Sequence, residues 1–461
     1  MDKNGVKQNN KLFGTDGIRS KYGTYPLDDS SIINIGKAIG QTFKGSKILI
    51  GRDTRVSGVK LEKLLNIGLL NLVDVYKVGV IPTPTLSFLV SSEDFDYGIM
   101  ITASHNVYYD NGLKLFKCNG EKISKEDEEK IEKNYFIQDD LKLEDDNCQI
   151  TNFPLNGQYA EYIYNIVKKY NLTFTNKDGR QLKLVIDCAN GAFYKEAKNV
   201  LSFLGYKDIV FINDEPNGKN INDNCGALYT DNLIEVVKRE NAELGIAFDG
   251  DGDRLICVDS KGAILDGDYI LLMIARYLNV KKNDKQFVVG TVMSNLGLER
   301  ALNEENLKFI RADVGDKYVY KDMLKYDAIV GGEQSGHIII KGFKTGDGLL
   351  SALFFISALN YFEIDVNDVS NLIKTYPQIL KSYNVKEKVP IEKWDELNYA
   401  IEEFKEKNAD NSRIVVRYSG TELKLRVMIE SDSYDIVNKS IDKFESIIKA
   451  KSSWNIRSTK K

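Results

Sequence analysis

A chain of 461 residues is too long for one hydrophobic core, and at about 100–200 residues per domain it calls for three or four. Hydrophobic residues make up 43% and charged residues 28%, the balance of a soluble globular protein, and a net charge of -4 gives no support to a general nucleic-acid binder. The polar start MDKNGVKQNN lacks the apolar stretch of a secretory signal, and no apolar run reaches the length of a membrane span. The scattered Cys118, Cys148, Cys188, Cys225 and Cys257 form no CxxC pair, so reduced thiols in a cytoplasmic protein are expected, with neither membrane nor nucleic acid as partner.

In chain order, a β-rich run ending in a Gly/Asp/Asn turn and followed by a helical pattern appears three times. KILIGRDTR (Lys47 to Arg55) precedes a helical stretch from Leu61 to Leu72. After the charged loop Asp139 to Asn147 and a helical pattern from Tyr159 to Tyr170 comes LKLVIDCANGA (Leu182 to Ala192), with a helix through Val200 and Leu204. A helical run DYILLMIARYL follows Gly267, and QFVVGTVMSN (Gln286 to Asn295) then leads into LGLERALNEENL. Strands alternating with helices predict an α/β fold with parallel sheets. Beyond Tyr376 the pattern changes. A polar helix (Glu392 to Lys407), the strands RIVVRYSG and LKLRVMIES, and an amphipathic helix from Ser433 to Lys449 read as a smaller α+β unit with a frayed basic tail, RSTKK.

Four loops could carry chemistry. In ELGIAFDGDGDR an apolar strand runs into Asp249, Asp251 and Asp253, spaced by glycines that let the chain bend and the carboxylates converge. Hard oxygen ligands of this kind suit Mg²⁺ or Ca²⁺; the bland alternative is a solvated acidic turn. An EF-hand is excluded, because Arg254 stands where the loop needs Gly and Ser260 where it needs Glu. An aspartyl-phosphate phosphatase is a rival, although Leu255 replaces its usual Thr or Val. In MITASHNVYYDNGLKLF, Ser104 follows an apolar run and His105 adjoins it. Neighbouring Ser and His rarely reach triad geometry and no G-x-S-x-G elbow is present, so a hydrolase is not indicated; alone, Ser104 reads as a turn serine. GGEQSGH offers Glu333 and Ser335 to sugar hydroxyls and His337 to proton transfer, against the plainer reading of a turn with a buried histidine. RYSGTELKLR places Arg417, Ser419, Gly420 and Thr421 together, a guanidinium, hydroxyls and flexible backbone that suit a phosphate, though an isolated RxSGT is usually a strand-ending turn. Walker A and GxGxxG signatures are absent, so ATP or NAD use is not indicated.

With these loops in order, the chain resembles the α-D-phosphohexomutase family over nearly its whole length, nearest its glucosamine-acting branch. The segments that carry the likeness are FGTDGIRS, IGRDTRVSG, VDVYKVGVIPTPTL, TASHN, DNGLKLF, NINDNCG, DGDGDR, VGDKYV, GGEQSGH, TGDGLL and RYSGTE. The resemblance implies four domains around a central cleft, three related α/β domains at 1–155, 156–258 and 259–374 and an α+β domain at 375–461. It implies that Ser104 is a phosphoserine, and that one Mg²⁺ per chain is held by Asp249, Asp251, Asp253 and a phosphoserine oxygen. Arg19, Lys114 and Arg254 would surround the transferring phosphate. Glu333, Ser335 and His337 would bind sugar hydroxyls, and Arg417, Ser419, Gly420 and Thr421 the distal phosphate, with Lys114 and His337 as proton-transfer groups. The implied reaction interconverts glucosamine 6-phosphate and glucosamine 1-phosphate through a 1,6-bisphosphate, with hexosamine or glucose 1,6-bisphosphate as activator. A kinase is an implied partner for the first phosphorylation, and the chain is expected as monomer or homodimer.

Gln334 and Asp316 steer the reading to the glucosamine branch, where relatives acting on mannose or glucose phosphates tend to carry Met and His. Val107, Tyr418 and Leu423 stand where prolines are usual, which leaves these loops less restricted, and Thr102 stands where Ser is frequent. The alternatives are the same chemistry on glucose or mannose phosphates, a metal-dependent phosphatase, and a non-catalytic sugar-phosphate sensor.

Overall fold

Lys47–Arg52, Leu184–Asp187 and Phe287–Thr291, within the three repeated β-rich runs, occupy the same place in three separate sheets. The computed structural model describes residues 11–137, 150–176, 178–280, 286–408, 411–419, 423–450 and 458–459. The charged loop Asp139 to Asn147, Cys148, Gly420 and Thr421 lie outside them. In each sheet the founding strand pairs in parallel with the next strand of its unit (Asp74–Val80, Ile209–Ile212 or Lys308–Ala312). On its other side lies a later parallel strand (Tyr97–Ile101, Leu244–Phe248 or Val330–Gly332). That strand then doubles back as an antiparallel hairpin with Asp110–Lys117, Leu255–Asp259 or Ile338–Ile340.

The parallel pairs need crossovers, which the helical patterns supply. Gly58–Leu69 and Thr83–Ser92 serve the first sheet, Phe193–Phe203 and Asp231–Glu240 the second, and Leu296–Glu304 and Asp316–Tyr326 the third. Asp231–Glu240 buries Leu233, Val236 and Val237 at helical spacing and stops at Asn241, whose φ of 49° ends the helix in the left-handed region. Helices on the faces of the sheets explain why strands such as Leu184–Asp187 are buried throughout rather than alternating.

The second and third units share one core running from Tyr159 to Ile373. Its centre is the helix Gly348–Tyr361, buried all along from Gly348 to Leu359. Truncating Leu353 or Phe354 there would cost about 2–5 kcal/mol. The expected division at 258/259 falls inside the strand Leu255–Asp259, and Ile264–Leu265 completes the same sheet. We therefore propose moving that division to follow Leu265.

The last unit is an antiparallel sheet in the order Ser412–Tyr418, Lys424–Ser431, Gln378–Asn384, Ser458–Thr459. Helices Asp395–Lys407 and Tyr434–Ala450 close its core around Trp394, Leu397, Val437 and Phe444. Two of its strands were not expected: QILKSYN alternates too weakly to stand out, and Ser458–Thr459 of the supposed frayed tail pairs with it. Among the described residues Cys118, Cys188, Cys225 and Cys257 are free thiols, and no helix is long and apolar enough to cross a membrane.

Candidate active site

The Ser104, aspartate and Glu333 loops are the same turn of the three repeats: each joins the hairpin strands at the carboxyl end of a parallel strand, where open α/β sheets bind ligands. Ser104 is buried, with a φ of 53° that aims its side chain out of the strand direction. Its Oγ donates to Asp249 Oδ2 at 2.7 Å and lies 3.3 Å from His105 Nδ1, nearer than adjacent residues were expected to come. Burial, then the cations of Arg254 and Arg19, push the His105 imidazole down to about 2, so it stays neutral.

The strained turn is held from beneath. Arg55, fully buried, pairs with Asp53 at 2.8 Å and donates to the carbonyls of Ser104, Asn106, Val107 and Asp110. Asn222 of the second unit donates to the Ser104 and Asn106 carbonyls, each at 2.9 Å. These side chains supply the restraint that a proline at Val107 would have given. Thr102 Oγ1 donates to Asp53 Oδ2 at 2.7 Å and accepts from the Ser104 N–H at 2.8 Å, a role for which any hydroxyl at this position suffices.

Asp249, Asp251 and Asp253 each offer an oxygen within 4.8 Å of the others. Gly250 lets the two loops meet: a Cβ there would stand 2.6 Å from the Ser104 carbonyl oxygen. Burial, then the carboxylates of Asp253 and Asp251, push the Asp249 carboxyl up to about 8, against the pull of Arg254. Buried Oδ1 atoms of Asp251 and Asp253 lack a hydrogen-bond partner. Crowded carboxylates with unpartnered oxygens beside a hydroxyl fit a hard divalent cation, Mg²⁺ among them.

Cations rim this cluster. Lys114 Nζ donates to Asp251 Oδ2 at 2.8 Å and Asp253 Oδ2 at 2.7 Å, and lies 3.4 Å from Asp16 Oδ2. Burial alone would lower this ammonium, but the carboxylates of Asp16, Asp251 and Asp253 outweigh it and hold it well above the usual lysine range. Arg19 pairs with Asp16 and reaches the Ala103 carbonyl at 3.4 Å. Arg254 donates its backbone N–H to Asp249 Oδ1 at 3.2 Å, while its buried Nε has no hydrogen-bond partner. Thr83 Oγ1 donates to Asp251 Oδ2 at 2.5 Å.

The third loop joins the same cluster. Arg254 and His337 form a β-bridge, and the Leu255 N–H donates to the Gly336 carbonyl at 3.0 Å. His337 is buried, with Nε2 at 3.9 Å from Asp253 Oδ2, accepting from the Gly346 N–H at 3.3 Å, and with Nδ1 lacking a partner. Glu333 accepts from the Gly315 N–H at 3.0 Å, and Ser335 is half-buried in the turn between. Arg417 is not in the metal cluster. Burial and Arg426 lower its guanidinium, while the charges of Asp313 and Glu333 act the other way. Ser419 is buried, and its carbonyl accepts from Lys388 Nζ at 2.6 Å.

Asp16, Asp53, Arg55, Thr83, Asn222 and Lys122 were not assigned from sequence. Four of them lie in the segments FGTDGIRS, IGRDTRVSG and NINDNCG, a signal that these stretches matter but not how; Thr83 lies in VDVYKVGVIPTPTL, and Lys122 in none of the quoted segments.

A serine donating to a buried carboxylate triad, ringed by lysine and arginine in a cleft between related α/β units, defines a metal-assisted phosphoryl-transfer enzyme. Family models agree on which. Those for phosphoglucomutase/phosphomannomutase alpha/beta/alpha domains I, II and III match residues 10–142, 158–262 and 266–377, and the one for the C-terminal domain matches 380–446. A phosphoglucosamine mutase of Campylobacter hominis is 41% identical, the match covering 94% of this chain and 98% of that protein. One of Lawsonia intracellularis is 39% identical, covering 95% and 98%. Among solved structures, a phosphoglucomutase/phosphomannomutase family protein of Burkholderia thailandensis superposes with a TM-score of 0.78 at 24% identity, over 97% of this chain and 99% of that one. An N-acetylphosphoglucosamine mutase of Aspergillus fumigatus, in complex with GlcNAc-6P and magnesium, superposes at 0.66 and 18% identity, over 95% of each chain. The chain belongs to the phosphohexomutase family, the phosphoglucomutase/phosphomannomutase group of the matching models.

Proposed function

We propose that the chain is a phosphoglucosamine mutase, an isomerase that interconverts glucosamine 6-phosphate and glucosamine 1-phosphate through phospho-Ser104. The observation that carries this reading is the 2.7 Å hydrogen bond from Ser104 Oγ to Asp249 within the aspartate triad, in a chain about 40% identical to phosphoglucosamine mutases along nearly its whole length.

Asp249, Asp251 and Asp253 are the residues to hold one Mg²⁺, with an oxygen of phospho-Ser104. When bound, that ion supplies charge neutralisation at the transferring phosphoryl group. Lys114, Arg19 and Arg254 add fixed positive charge around the same oxygens, from positions that need no reorganisation at the moment of transfer. In the first half-reaction the Oγ–P bond of phospho-Ser104 breaks as a bond forms to O1 of glucosamine 6-phosphate, and the proton that O1 loses is made good on the departing Ser104 Oγ. The 1,6-bisphosphate then turns end for end, its 6-phosphoryl group passes back to Ser104 Oγ as the O6–P bond breaks, and the proton that Ser104 Oγ loses is made good on O6. Lys114 brings a proton to give and His337 an unpartnered ring nitrogen, so these two are the proton-transfer groups. Glu333 and Ser335 are the groups for sugar hydroxyls. Arg417 and Ser419, with Gly420 and Thr421 beyond the described residues, are those for the distal phosphate. A hexosamine or glucose 1,6-bisphosphate restores a phosphoserine lost to water. First phosphorylation by a kinase, a cytoplasmic location and a monomeric or dimeric state belong to the same proposal.

A coupled mutase assay with Mg²⁺ and bisphosphate, run in parallel on glucosamine, glucose and mannose phosphates, tests it. Preference for glucosamine 6-phosphate is expected. Equal or better rates on mannose 1-phosphate would overturn the sugar, release of free phosphate would point to a phosphatase, and no turnover would leave a sensor.

A further inference from the structure

Glu121 and Lys122, in the turn after the strand Asp110–Lys117, both reach out of the first unit into the third. Glu121 Oε1 accepts from Tyr320 Oη at 2.8 Å and from Lys344 Nζ at 3.2 Å. Lys122 is shared between two carboxylates, Asp16 of its own unit and Asp316 of the third. Asp316 opens the helix Asp316–Tyr326, where the helix dipole favours an anion, and its Oδ1 accepts from the Lys317 N–H at 2.7 Å. Its Oδ2 is left for Lys122 and lies 3.7 Å from His337 Nε2.

The turn that carries Asp316 also braces the other end of the sugar loop. Gly315, at a φ of 127° that favours glycine, donates its N–H to Glu333 Oε1 at 3.0 Å. Its Cβ position faces Thr15 of the first unit at 3.3 Å, so the two units meet here with no room to spare. Both ends of the Glu333–His337 loop therefore lean on residues 315–316, and Lys122 ties those residues to Asp16. Asp16 in turn pairs with Arg19 and lies 3.4 Å from Lys114, the cations that rim the aspartate cluster.

We propose that Lys122 and Asp316 are positioning residues: their ion pair across the cleft sets the sugar loop in register with Ser104 and the cations around it. The proposal rests on the mutase reading above. An error of about 1 Å in such a register costs on the order of a hundredfold in rate. Neither residue is offered a reacting atom, so the pair acts through Glu333, His337 and Lys114.

The test compares wild type with D316N, K122M, the double variant and K122R, each with its thermal midpoint measured. We expect D316N and K122M each to lower kcat by about 30-fold while KM for the phosphosugar moves less than about threefold, because ground-state binding rests on the Arg417 loop. The double variant should be no slower than the slower single one, since both cut one tie, and K122R should recover to within about fivefold of wild type. A kcat for D316N within about twofold of wild type overturns the proposal, as do single losses that multiply in the double variant. So does a loss that follows only the drop in thermal midpoint and is not rescued by K122R, which is the mark of a structural role. Should D316N not fold, K122M, whose side chain is partly exposed, gives the same decision. An inactive wild type sinks the mutase reading and this proposal together, whereas an active wild type with an unimpaired D316N sinks the pair alone.

Discussion

Ser104 Oγ and Asp249 Oδ2 stand 2.7 Å apart although 145 residues separate them, and each sits in the hairpin turn of its own repeat. The cleft is thus made by facing equivalent turns of repeated units. Removing either partner separates nucleophile from metal site without touching a hydrophobic core.

Ser104→Ala is accordingly expected to lower mutase turnover by at least about a thousandfold while the thermal midpoint stays within a few degrees. Intact-protein mass spectrometry after incubation with a hexose 1,6-bisphosphate should show one added phosphoryl group on wild type and none on the variant. Full labelling of the variant would place the phosphoryl carrier elsewhere.

Three carboxylates crowded into one buried site carry more negative charge than the Lys114 ammonium offsets, and a divalent cation would relieve the rest. Mg²⁺ at about a hundred times its dissociation constant should stabilise the folded chain by about 3 kcal/mol, seen as a raised thermal midpoint. EDTA should abolish both that rise and turnover. Asp251→Asn should remove the rise, while Lys114 keeps a partner in Asp253 and the fold survives. An unchanged Mg²⁺ response in Asp251→Asn would exclude the triad as the site.

How much of this was legible in the sequence follows the range of each interaction. The aspartate triad could be read locally, because its glycines, its spacing and the strand before it lie within a dozen residues. Ser104 could not: nothing in its neighbours separates it from a turn serine, and only the resemblance of the surrounding segments marked it. Arg55, Asn222 and Thr83 act across 49, 118 and 168 positions, so their roles exist only once the chain is folded. The founding strands of the repeats stood out through their apolar runs. The equivalence of the three functional turns is a property of strand order, which no run of residues displays.

Arg55 makes a separate point about the loop it holds. It spends its donors on Asp53 and four loop carbonyls, an arrangement a lysine ammonium cannot reproduce. Burial keeps the Asp53 carboxyl raised even with Arg55 beside it, so weakening that partner is costly. Arg55→Lys should lower unfolding free energy by about 2–4 kcal/mol and kcat by on the order of a hundredfold. Chemical denaturation and the mutase assay check the two effects, and an unaltered kcat would mean that the Ser104 turn keeps its shape unaided.

Asp347 allows a pH prediction of stability. It caps the buried helix Gly348–Tyr361 through the Leu350 N–H at 3.0 Å and accepts from Tyr159 Oη at 2.6 Å. Burial nonetheless pushes its carboxyl from 3.8 up to about 6. The folded chain therefore binds more protons than the unfolded one between those values, and this residue's contribution to stability falls as pH rises through that window. Above about pH 6 its full cost is present, at most about 3 kcal/mol for a shift of this size. Asp347→Asn can keep both contacts, since its carbonyl can accept from Leu350 and its amide can donate to the tyrosine oxygen, but it has no charge to bury. Relative to wild type, the variant should therefore gain stability steadily from about pH 4 to pH 6 and hold that gain at pH 8. Urea denaturation at these pH values measures the difference, and a gap that stays flat with pH would mean that Asp347 is ionised in the folded chain as readily as in the unfolded one.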